Sequence, residues 1–460
     1  MKEKDAGFIT TIKNKGFLNL WINQILVQLS YNALNFALIL WVFHLTNSNT
    51  AVSFLLVATY FPPIIFGLFA GILTDLTDRK KMIMWINLLL AVCFFLLIPF
   101  KTSYVAILII TFIINSLAQF YTPAESSAIP IIVPKKQLLS ANALFSITLF
   151  GCFLIGFGLA GPLINILGID YLFTLGGVLL TIAFFMSFLF PPIVNSNPQE
   201  GIMLAHAIKQ RDYIHMYNFA RRQIRETVAV IKGKLSVSSA LLILAGIQVV
   251  IGILAVILPA FSEFELHIRK EDISQIAIIP LGIGMVIGGF LVGKFGKGFA
   301  KRTIVSRAIL FAGTLLFSLG ASPLVTPIIE HFPKNLPRPY FDQPSLAIVI
   351  VLGSFLLGLA MVSIVVPSQT VLQENTDENL RGKIYAVLGV LNAALTIIPV
   401  VLAGVIADLV GTRPIFLLMG GTIGLIGLLA IRPQFYFEKG SLPKRVIQFL
   451  GMGHWKKKKN

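Results

Sequence analysis

Residues 71–81 read Gly71-Ile72-Leu73-Thr74-Asp75-Leu76-Thr77-Asp78-Arg79-Lys80-Lys81 and separate two long apolar segments. An uncharged run extends from Phe17 to Thr74 before them, and a second apolar run begins at Met82. Five charges fall within the seven residues 75–81. Because charged side chains are costly in hydrocarbon, the chain must leave the bilayer at this point. The segment is therefore predicted to be a short loop between two membrane-spanning helices.

The rest of the chain is similarly apolar. Of its 460 residues, 56% are hydrophobic and 12% are charged, and the mean hydropathy is +0.85, which excludes an ordinary soluble protein. Charge-poor windows that approach or exceed the roughly 20 residues needed to cross a bilayer recur along the chain. They lie near residues 17–43, 51–74, 82–100, 103–122, 137–167, 171–191, 236–260, 273–293, 308–325, 345–373, 384–407 and 414–431. Alternating segments of the outer-membrane-barrel kind are absent, so we predict an all-α integral membrane protein with 12 transmembrane helices.

The net charge of +17 would suit a nucleic-acid partner, but its distribution argues against one. If the amino terminus is cytoplasmic and every window crosses, 31 of the 37 Lys and Arg residues lie on the cytoplasmic side. This bias is typical of a multi-pass protein of the plasma or inner membrane with both termini cytoplasmic. The run Lys456–Lys459 is then solvated or contacts anionic lipid.

Polar stretches divide the chain into five parts. These are a cytoplasmic lead (1–16), a first six-helix bundle (17–191), a linker (192–235), a second six-helix bundle (236–431) and a basic tail (432–460). Between about Ile202 and Lys234 the linker carries seven basic residues, and apolar residues recur every three or four positions. This pattern predicts an amphipathic helix on the cytoplasmic face of the membrane.

The second half repeats the first at low similarity. Gly289 lies 218 residues after Gly71 and is followed by basic residues without the aspartates, and Pro367 lies 244 residues after Pro123. An expected outer loop at 321–344, which contains six prolines, accounts for most of the difference. Internal repeats of this kind are found in secondary transporters.

Neutral polar residues line one face of the first helix and recur in helix 4. Because polar side chains facing lipid cost free energy, these faces are predicted to border a wet cavity. Hydrogen bonding between helices, worth about 0.6 kcal/mol per bond, is the alternative for any single residue. The predicted lining is Gln24, Gln28, Tyr31, Asn32, Asn35, Asn115, Gln119, Gln248 and Asn392.

No pattern of catalytic or metal-binding residues stands out. The six histidines fall in loops or at span ends, and no phosphate-binding Gly-x-x-x-x-Gly-Lys-Ser/Thr stretch occurs. Cys93 and Cys152 lie in apolar spans, so neither a disulfide framework nor a metal is expected. Helix 8 contains glycines that suit close helix packing, namely Gly282, Gly284, Gly288 and Gly289. We expect neither an enzyme nor a resident cofactor.

Three stretches resemble the major facilitator superfamily of transporters, in particular its branch of macrolide and siderophore (enterobactin) exporters. Residues 71–81 are similar to the helix 2–3 loop, although Leu76 stands where a basic residue is usual and Asp78 where glycine often stands. Residues 123–144, from Pro-Ala-Glu to Ala-Asn-Ala-Leu, are similar to the helix 4–5 connection, with Pro130 and Pro134 expected to end helix 4. Residues 373–383 are similar to the helix 10–11 loop. The resemblance covers about residues 17–431.

The resemblance implies a cytoplasmic gate, with Asp75 near the start of helix 11; a plain solvated loop is the alternative. The gate residues are Gly71, Asp75, Asp78, Arg79, Gln373, Glu374, Arg381, Gly382 and Lys383. It also implies alternating access and proton coupling through a carboxylate within the membrane. Asn32 occupies the helix 1 position where this branch tends to have aspartate, which leaves Glu125 as the candidate. A charge facing the cytoplasm is the alternative for Glu125, and uncoupled facilitated movement stays open.

The predicted cavity contains no fixed charge, so a strongly anionic solute would be buried without a partner. We therefore expect the protein to export a small amphipathic compound, neutral to cationic, such as a drug or siderophore. We also expect a monomer in the lipid bilayer. A lysophospholipid flippase of the same fold is one alternative. A membrane sensor or assembly protein that does not transport is the other.

Overall fold

The computed structural model describes residues 8–134, 137–193, 234–265, 273–295, 300–329, 344–376 and 378–431. Within these ranges the chain forms one short helix and twelve long ones, and no strand. They are α1 (Phe8–Lys13), α2 (Lys15–Thr46), α3 (Asn49–Leu76), α4 (Arg79–Phe100), α5 (Tyr104–Ile132), α6 (Leu138–Leu167), α7 (Ile169–Ser187), α8 (Leu235–Ala260), α9 (Ile279–Phe295), α10 (Lys301–Ile329), α11 (Pro344–Glu374), α12 (Glu378–Val410) and α13 (Arg413–Ile431). Short π-helical turns follow α8 and precede α9.

The helices have the length and composition of membrane spans. Eleven of those described are long and apolar enough to cross a bilayer, and α6 adds the shorter apolar stretch Gly151–Leu167. The prediction of an all-α membrane protein with 12 spans is therefore confirmed. The predicted amphipathic linker and basic tail lie outside the described residues, which omit 194–233 and 432–460. Helix α10 continues to Ile329, so the expected outer loop at 321–344 begins later than predicted.

Two compact units divide the chain. Unit 1 comprises Met1–Thr46 and Phe54–Gln223, and unit 2 comprises Asn47–Ser53 and Ile224–Asn460. The first turn of α3 thus belongs to unit 2, although the rest of that helix belongs to unit 1. In unit 1, α2 packs against α6 and α7, and α4 packs against α5 and α7. In unit 2, α8 packs against α11 and α12, α9 against α11, and α10 against α11 and α13.

Local chemistry explains several helix ends. Asp78 and Ser103 are N-caps of α4 and α5, and their side chains accept hydrogen bonds from backbone N–H groups of the first turn. Gly168 and Gly411 adopt φ of 84° where α6 meets α7 and α12 meets α13, a conformation that favours glycine. These two glycines are 243 residues apart, close to the 244 that separate Pro123 from Pro367. The equivalent turn in each half is thus made in the same way.

Helix α5, which corresponds to the predicted helix 4, is longer than predicted. It continues through Pro123 and Pro130 and ends at Ile132, so the expectation that Pro130 would end it is wrong. The ring of Pro134 disfavours helical conformation in the preceding residue, and Val133 is accordingly extended, with φ −107° and ψ 133°. The charge-poor window ended at Thr122, but the helix does not. Glu125 is therefore inside the helix with about two further turns after it.

Candidate functional site

The charged loop after α3 is tied to the end of α7 within unit 1. The Asp78 carboxylate accepts hydrogen bonds from the backbone nitrogens of Lys80 at 3.0 Å and Lys81 at 3.4 Å. The Lys80 ammonium donates to the carbonyl oxygens of Phe188 at 2.9 Å and Phe190 at 2.7 Å. The neighbouring predicted gate residue Arg79 is buried. For Gly71 and Asp75, in the last turns of α3, the structure describes the backbone only.

The loop between α11 and α12 is held by contacts within unit 2. The Gln373 amide donates to the Tyr385 hydroxyl at 3.0 Å, and the Lys301 ammonium lies 2.6 Å from a Glu374 carboxylate oxygen. Residues 381–383, the predicted Arg-Gly-Lys part of the gate, lie in the first two turns of α12, and the structure does not describe their side chains. Glu374, the predicted gate acid on this loop, is therefore already paired with the cation of Lys301. The gate itself stays a prediction.

The predicted cavity residues of unit 1 occupy two kinds of environment. The Tyr31 hydroxyl donates to Asn115 Oδ1 and so joins α2 to α5. Three of the amides donate to backbone carbonyls one turn earlier in their own helices and remain partly exposed: Asn32, Asn35 and Gln119. Gln28 is also partly exposed. Gln24 is buried, and its amide nitrogen lies 3.4 Å from the Phe145 carbonyl oxygen of α6.

The two cavity residues predicted in unit 2 lie on different helices of that unit. Gln248 is on α8 and Asn392 is on α12, and both are partly exposed. The side-chain oxygen of Asn392 is itself buried. Their assignment to a solute cavity remains a prediction.

A buried polar cluster surrounds Glu125 in unit 1. Its members come from four helices and are each at most 4% exposed: Asn23 of α2, Asn87 of α4, Tyr121 and Glu125 of α5, and Ser187 of α7. Glu125 is the one buried carboxyl group among the described side chains, and no described basic side chain is within salt-bridge distance of it. Glu125 is therefore buried inside α5 rather than exposed at its end, and its role in proton coupling remains a prediction.

The hydrogen bonds of this cluster can be assigned donor by donor. The Asn23 amide donates to the Ala183 carbonyl at 2.7 Å and to Ser187 Oγ at 3.3 Å. The Asn87 amide donates to Asn23 Oδ1 and to Ser187 Oγ, both at 3.2 Å. The Ser187 hydroxyl donates to the Ala183 carbonyl at 2.8 Å. The amide and serine hydrogens are thus all used before Tyr121 and Glu125 are considered.

The Tyr121 hydroxyl oxygen lies 3.1 Å from Asn23 Oδ1 and 2.8 Å from Glu125 Oε1. A phenol has one hydrogen and cannot donate to both acceptors at once. Both contacts are hydrogen bonds only when Tyr121 donates to Asn23 and a protonated Glu125 donates to Tyr121. The geometry is thus suited to a neutral carboxyl group at this position.

Most of this cluster was missed in the sequence. Asn23, Asn87 and Ser187 come from segments distant from Glu125 that no local pattern links, whereas Tyr121 lies only four residues before Glu125 on α5. One signal was present, since Asn87 is the single amide in the otherwise apolar span 82–100. A polar residue isolated in the middle of a span needs a buried partner.

A second carboxylate is bound at the start of α3, within unit 2. Asp408, near the end of α12, accepts hydrogen bonds from the backbone nitrogens of Asn49 at 2.7 Å and Thr50 at 2.9 Å. The Ser48 hydroxyl and the Asn49 amide also donate to it, at 2.7 and 2.9 Å. The Asp408 carboxylate thereby supplies the N-terminal cap of a helix that is distant in sequence.

Comparison with known proteins gives a consistent family. The profile of the Major Facilitator Superfamily matches residues 20–329. Macrolide efflux protein A of Streptococcus pyogenes is 23% identical over 429 residues, which are 90% of this chain and 94% of that protein. The uncharacterized MFS-type transporter YkuC of Bacillus subtilis is 27% identical over 322 residues, 67% of this chain and 71% of that protein.

Solved structures share the fold at low identity. The nucleoside transporter NupG superposes with a TM-score of 0.68 at 12% identity and covers 92% of this chain and 99% of its own. The inward open xylose transporter XylE from E. coli gives 0.60 at 13% identity and covers 97% and 99%. At these identities the likeness concerns the fold alone.

Proposed function

The chain belongs to the Major Facilitator Superfamily, and from that premise we propose that it is a proton-coupled exporter of small amphipathic compounds. It is a multi-pass membrane transporter, and the proposal adds its direction, its coupling ion and its class of solute. Efflux is supported by the similarity to macrolide efflux protein A along 90% of the chain. We place the transporter in the plasma membrane with both termini cytoplasmic, as the distribution of Lys and Arg favours.

The observation that carries the coupling proposal is the buried Glu125. Burying an ionised carboxylate without a paired cation costs a large free energy, so the group binds a proton whenever the cluster is closed. Its hydrogen-bond partner Tyr121 has only one hydrogen, which is satisfied in the neutral arrangement (2.8 and 3.1 Å contacts). We infer that Glu125 releases its proton in a second state, in which water reaches α5 from one side of the membrane.

Coupling then follows from the cost of the charged form. A deprotonated Glu125 cannot return to the closed cluster without burying its charge, so the state that exposes it persists until a proton binds. A solute that binds the state with exposed, deprotonated Glu125 stabilises that state and so competes with proton binding. Exchange of proton for solute therefore requires no cofactor and no covalent chemistry.

The proposed solute class rests on the polar residues of α2 and α5, most of which are partly exposed. The residues predicted to border the cavity are neutral amides and a phenol, with Tyr31 and Asn115 already paired. Such a surface offers hydrogen bonds but no counter-charge to an anion. We propose a neutral or cationic amphipathic solute of the macrolide kind.

The test is transport by the purified chain in proteoliposomes. We expect radiolabelled erythromycin to exchange in counterflow, and an imposed pH gradient to drive its accumulation until a protonophore removes the gradient. Flux without a response to the gradient would contradict coupling. Flipping of a fluorescent lysophospholipid without macrolide flux would favour the lipid carrier instead, and neither activity would favour a protein that does not transport.

The proposed gate gives a separate prediction at Asp75. Asp75→Asn removes a charge that we propose to interact with the positive end of α12, a type of contact worth about 0.3–2 kcal/mol. We expect the inward-open state to become more populated, by a factor of between about two and thirty for that range of free energy. The measurement compares the rates at which single cysteines are alkylated when they are introduced near the two ends of α2, the first membrane-spanning helix.

Asp78→Asn tests whether the effect is particular to Asp75 or shared by both gate aspartates of this segment. It removes one carboxylate from the same loop but keeps an oxygen that can cap α4. Equal labelling patterns for wild type, Asp75→Asn and Asp78→Asn would reduce the gate to a solvated loop.

A further inference from the structure

A cavity of about 250 Å³ lies inside unit 2, between α8, α10, α11 and α13. Its floor includes Leu357 and Met361 of α11, which are 4% and 5% exposed. Its mouth includes Leu242 of α8 and Ile426 of α13, which are 47% and 53% exposed. The wall at Gly246 is open, since a Cβ built there would meet no atom within 4 Å. The cavity is thus a recess between spans that opens sideways.

The cause of the recess is the way α13 packs. Gly313 of α10 faces Gly424 of α13, and a Cβ on either Gly313 or Gly420 would overlap the backbone of the opposite helix. Gly427 approaches the backbone of Leu310 in the same way. Glycine allows this backbone-to-backbone approach, which holds α13 against α10. Among the described residues, α8 and α13 do not form a packed pair, and the gap between them remains open.

The corresponding junction of unit 1 is filled. There the first and sixth long helices, α2 and α7, pack along each other. Gly176 and Gly177 of α7 receive the rings of Phe94 and Phe95 of α4 in place of a helix backbone. The interior of that junction holds the Glu125 cluster. The recess is therefore specific to unit 2 and does not follow from the repeat itself.

The chemistry of the lining selects an apolar occupant. Fourteen of the fifteen lining residues are Gly, Ala, Val, Leu, Ile or Met, and the exception, Ser239, donates to backbone carbonyls of its own helix. A water molecule needs two to four polar partners, and even a smaller apolar cavity of about 150 Å³ stays dry and binds hydrocarbons. All four surrounding helices contain membrane-spanning segments. Leu242 and Ile426 at the mouth are exposed apolar side chains on these spans, a surface that suits contact with hydrocarbon rather than with water.

We propose that this recess is a binding site for one acyl chain of a membrane lipid, inserted between α8 and α13. The chain fills a space that the protein's own side chains leave empty, and its burial against aliphatic side chains recovers dispersion contacts that an empty recess would lack. None of the residues that line the recess is among those proposed to line the solute cavity. The test of the site is independent of transport.

The test uses the full chain in vesicles of phosphatidylethanolamine and phosphatidylglycerol that contain a phosphatidylcholine with a diazirine at one acyl terminus. After irradiation, adducts are located by peptide mass spectrometry. We expect adducts on Leu357 and Met361, which lipid of the surrounding shell cannot reach. Gly246→Phe places a phenyl ring in the recess, so that roughly two methylenes of the acyl chain can no longer be buried there. We expect the adducts on Leu357 and Met361 to fall about tenfold as a result. Labelling of Trp85, which is 55% exposed in unit 1, provides the normalisation.

Gly421→Phe is the matched control, because Gly421 also has no atom within 4 Å of a built Cβ but does not line the recess. It should leave the floor adducts unchanged. The proposal would be overturned if Trp85 of the wild type were labelled but Leu357 and Met361 were not. It would also be overturned if Gly246→Phe gave as many adducts on Leu357 and Met361 as the wild type. If Gly246→Phe elutes as aggregate, the smaller Gly246→Leu must show the same loss. Loss of floor adducts on adding erythromycin would assign the recess to the solute and overturn the lipid assignment.

Discussion

Glu125→Gln is expected to abolish the response of solute flux to an imposed pH gradient while solute counterflow continues. Glutamine keeps the shape of the neutral carboxyl group, and its amide can donate to the Tyr121 hydroxyl oxygen as the protonated acid does. The cluster with Asn23 therefore stays closed and folded. Glutamine cannot release a proton, so the transporter moves between its states without a charge to hold it in either one.

The measurement compares gradient-driven accumulation with counterflow in the same proteoliposomes. Glu263→Gln is the matched control, because it makes the same chemical change at a partly exposed carboxylate of unit 2. It should respond to the gradient as the wild type does. Retained gradient-driven accumulation in Glu125→Gln would remove Glu125 from the coupling mechanism, and loss of counterflow as well would indicate a structural role.

Gly420→Ala is expected to destabilise unit 2 strongly for a change of one methyl group. A Cβ at Gly420 would overlap the backbone nitrogen of Phe317, and a backbone cannot rotate away as a side chain can. Helices α10 and α13 must therefore separate along their contact. Overpacking of this kind costs about 1–3 kcal/mol. We expect a lower apparent melting temperature in detergent and a larger aggregated fraction on size exclusion.

The adjacent Gly421→Ala is the control. Its Cβ would have no atom within 4 Å, and alanine favours helix over glycine by up to about 1 kcal/mol. The control should be as stable as the wild type or slightly more stable. Similar melting temperatures for the two variants would mean that α10 and α13 are not held by backbone contact.

The helix order could be predicted because charges, glycines and prolines mark where an apolar chain leaves the bilayer. The charged segment 75–81 is a local feature of this kind, although most of it is helical and only Thr77 and Asp78 lie between α3 and α4. The glycine turns at Gly168 and Gly411 are also local, but they were found only in the structure. Glycine packing in α9 was also expected, and it is confirmed at Gly284, whose Cβ would overlap the Phe355 carbonyl oxygen. The charged segment and the turns depend on residues that are close in sequence, whereas Gly284 packs against a different helix.

The site was less predictable because burial depends on distant helices. The charge of Glu125 seemed to end a span, yet Asn23, Asn87 and Ser187 supply a polar interior that tolerates the acid in its neutral form. Gln24 was grouped with the cavity residues by helical spacing, and its side chain packs against the Phe145 carbonyl of α6. Spacing identifies the face of a helix, but it does not identify which neighbour covers that face.

The carboxylate of Asp408 also restricts how α3 can deform. Its oxygens accept the first backbone N–H groups of α3 directly, at 2.7 and 2.9 Å, so sliding the helix along its axis would break these bonds at once. Bending is less costly, because Pro62 and Pro63 lack two N–H groups that would otherwise stiffen the middle of the helix. Helix α3 is therefore fixed at its N-terminal end, and the prolines where it bends most readily lie about four turns from that end.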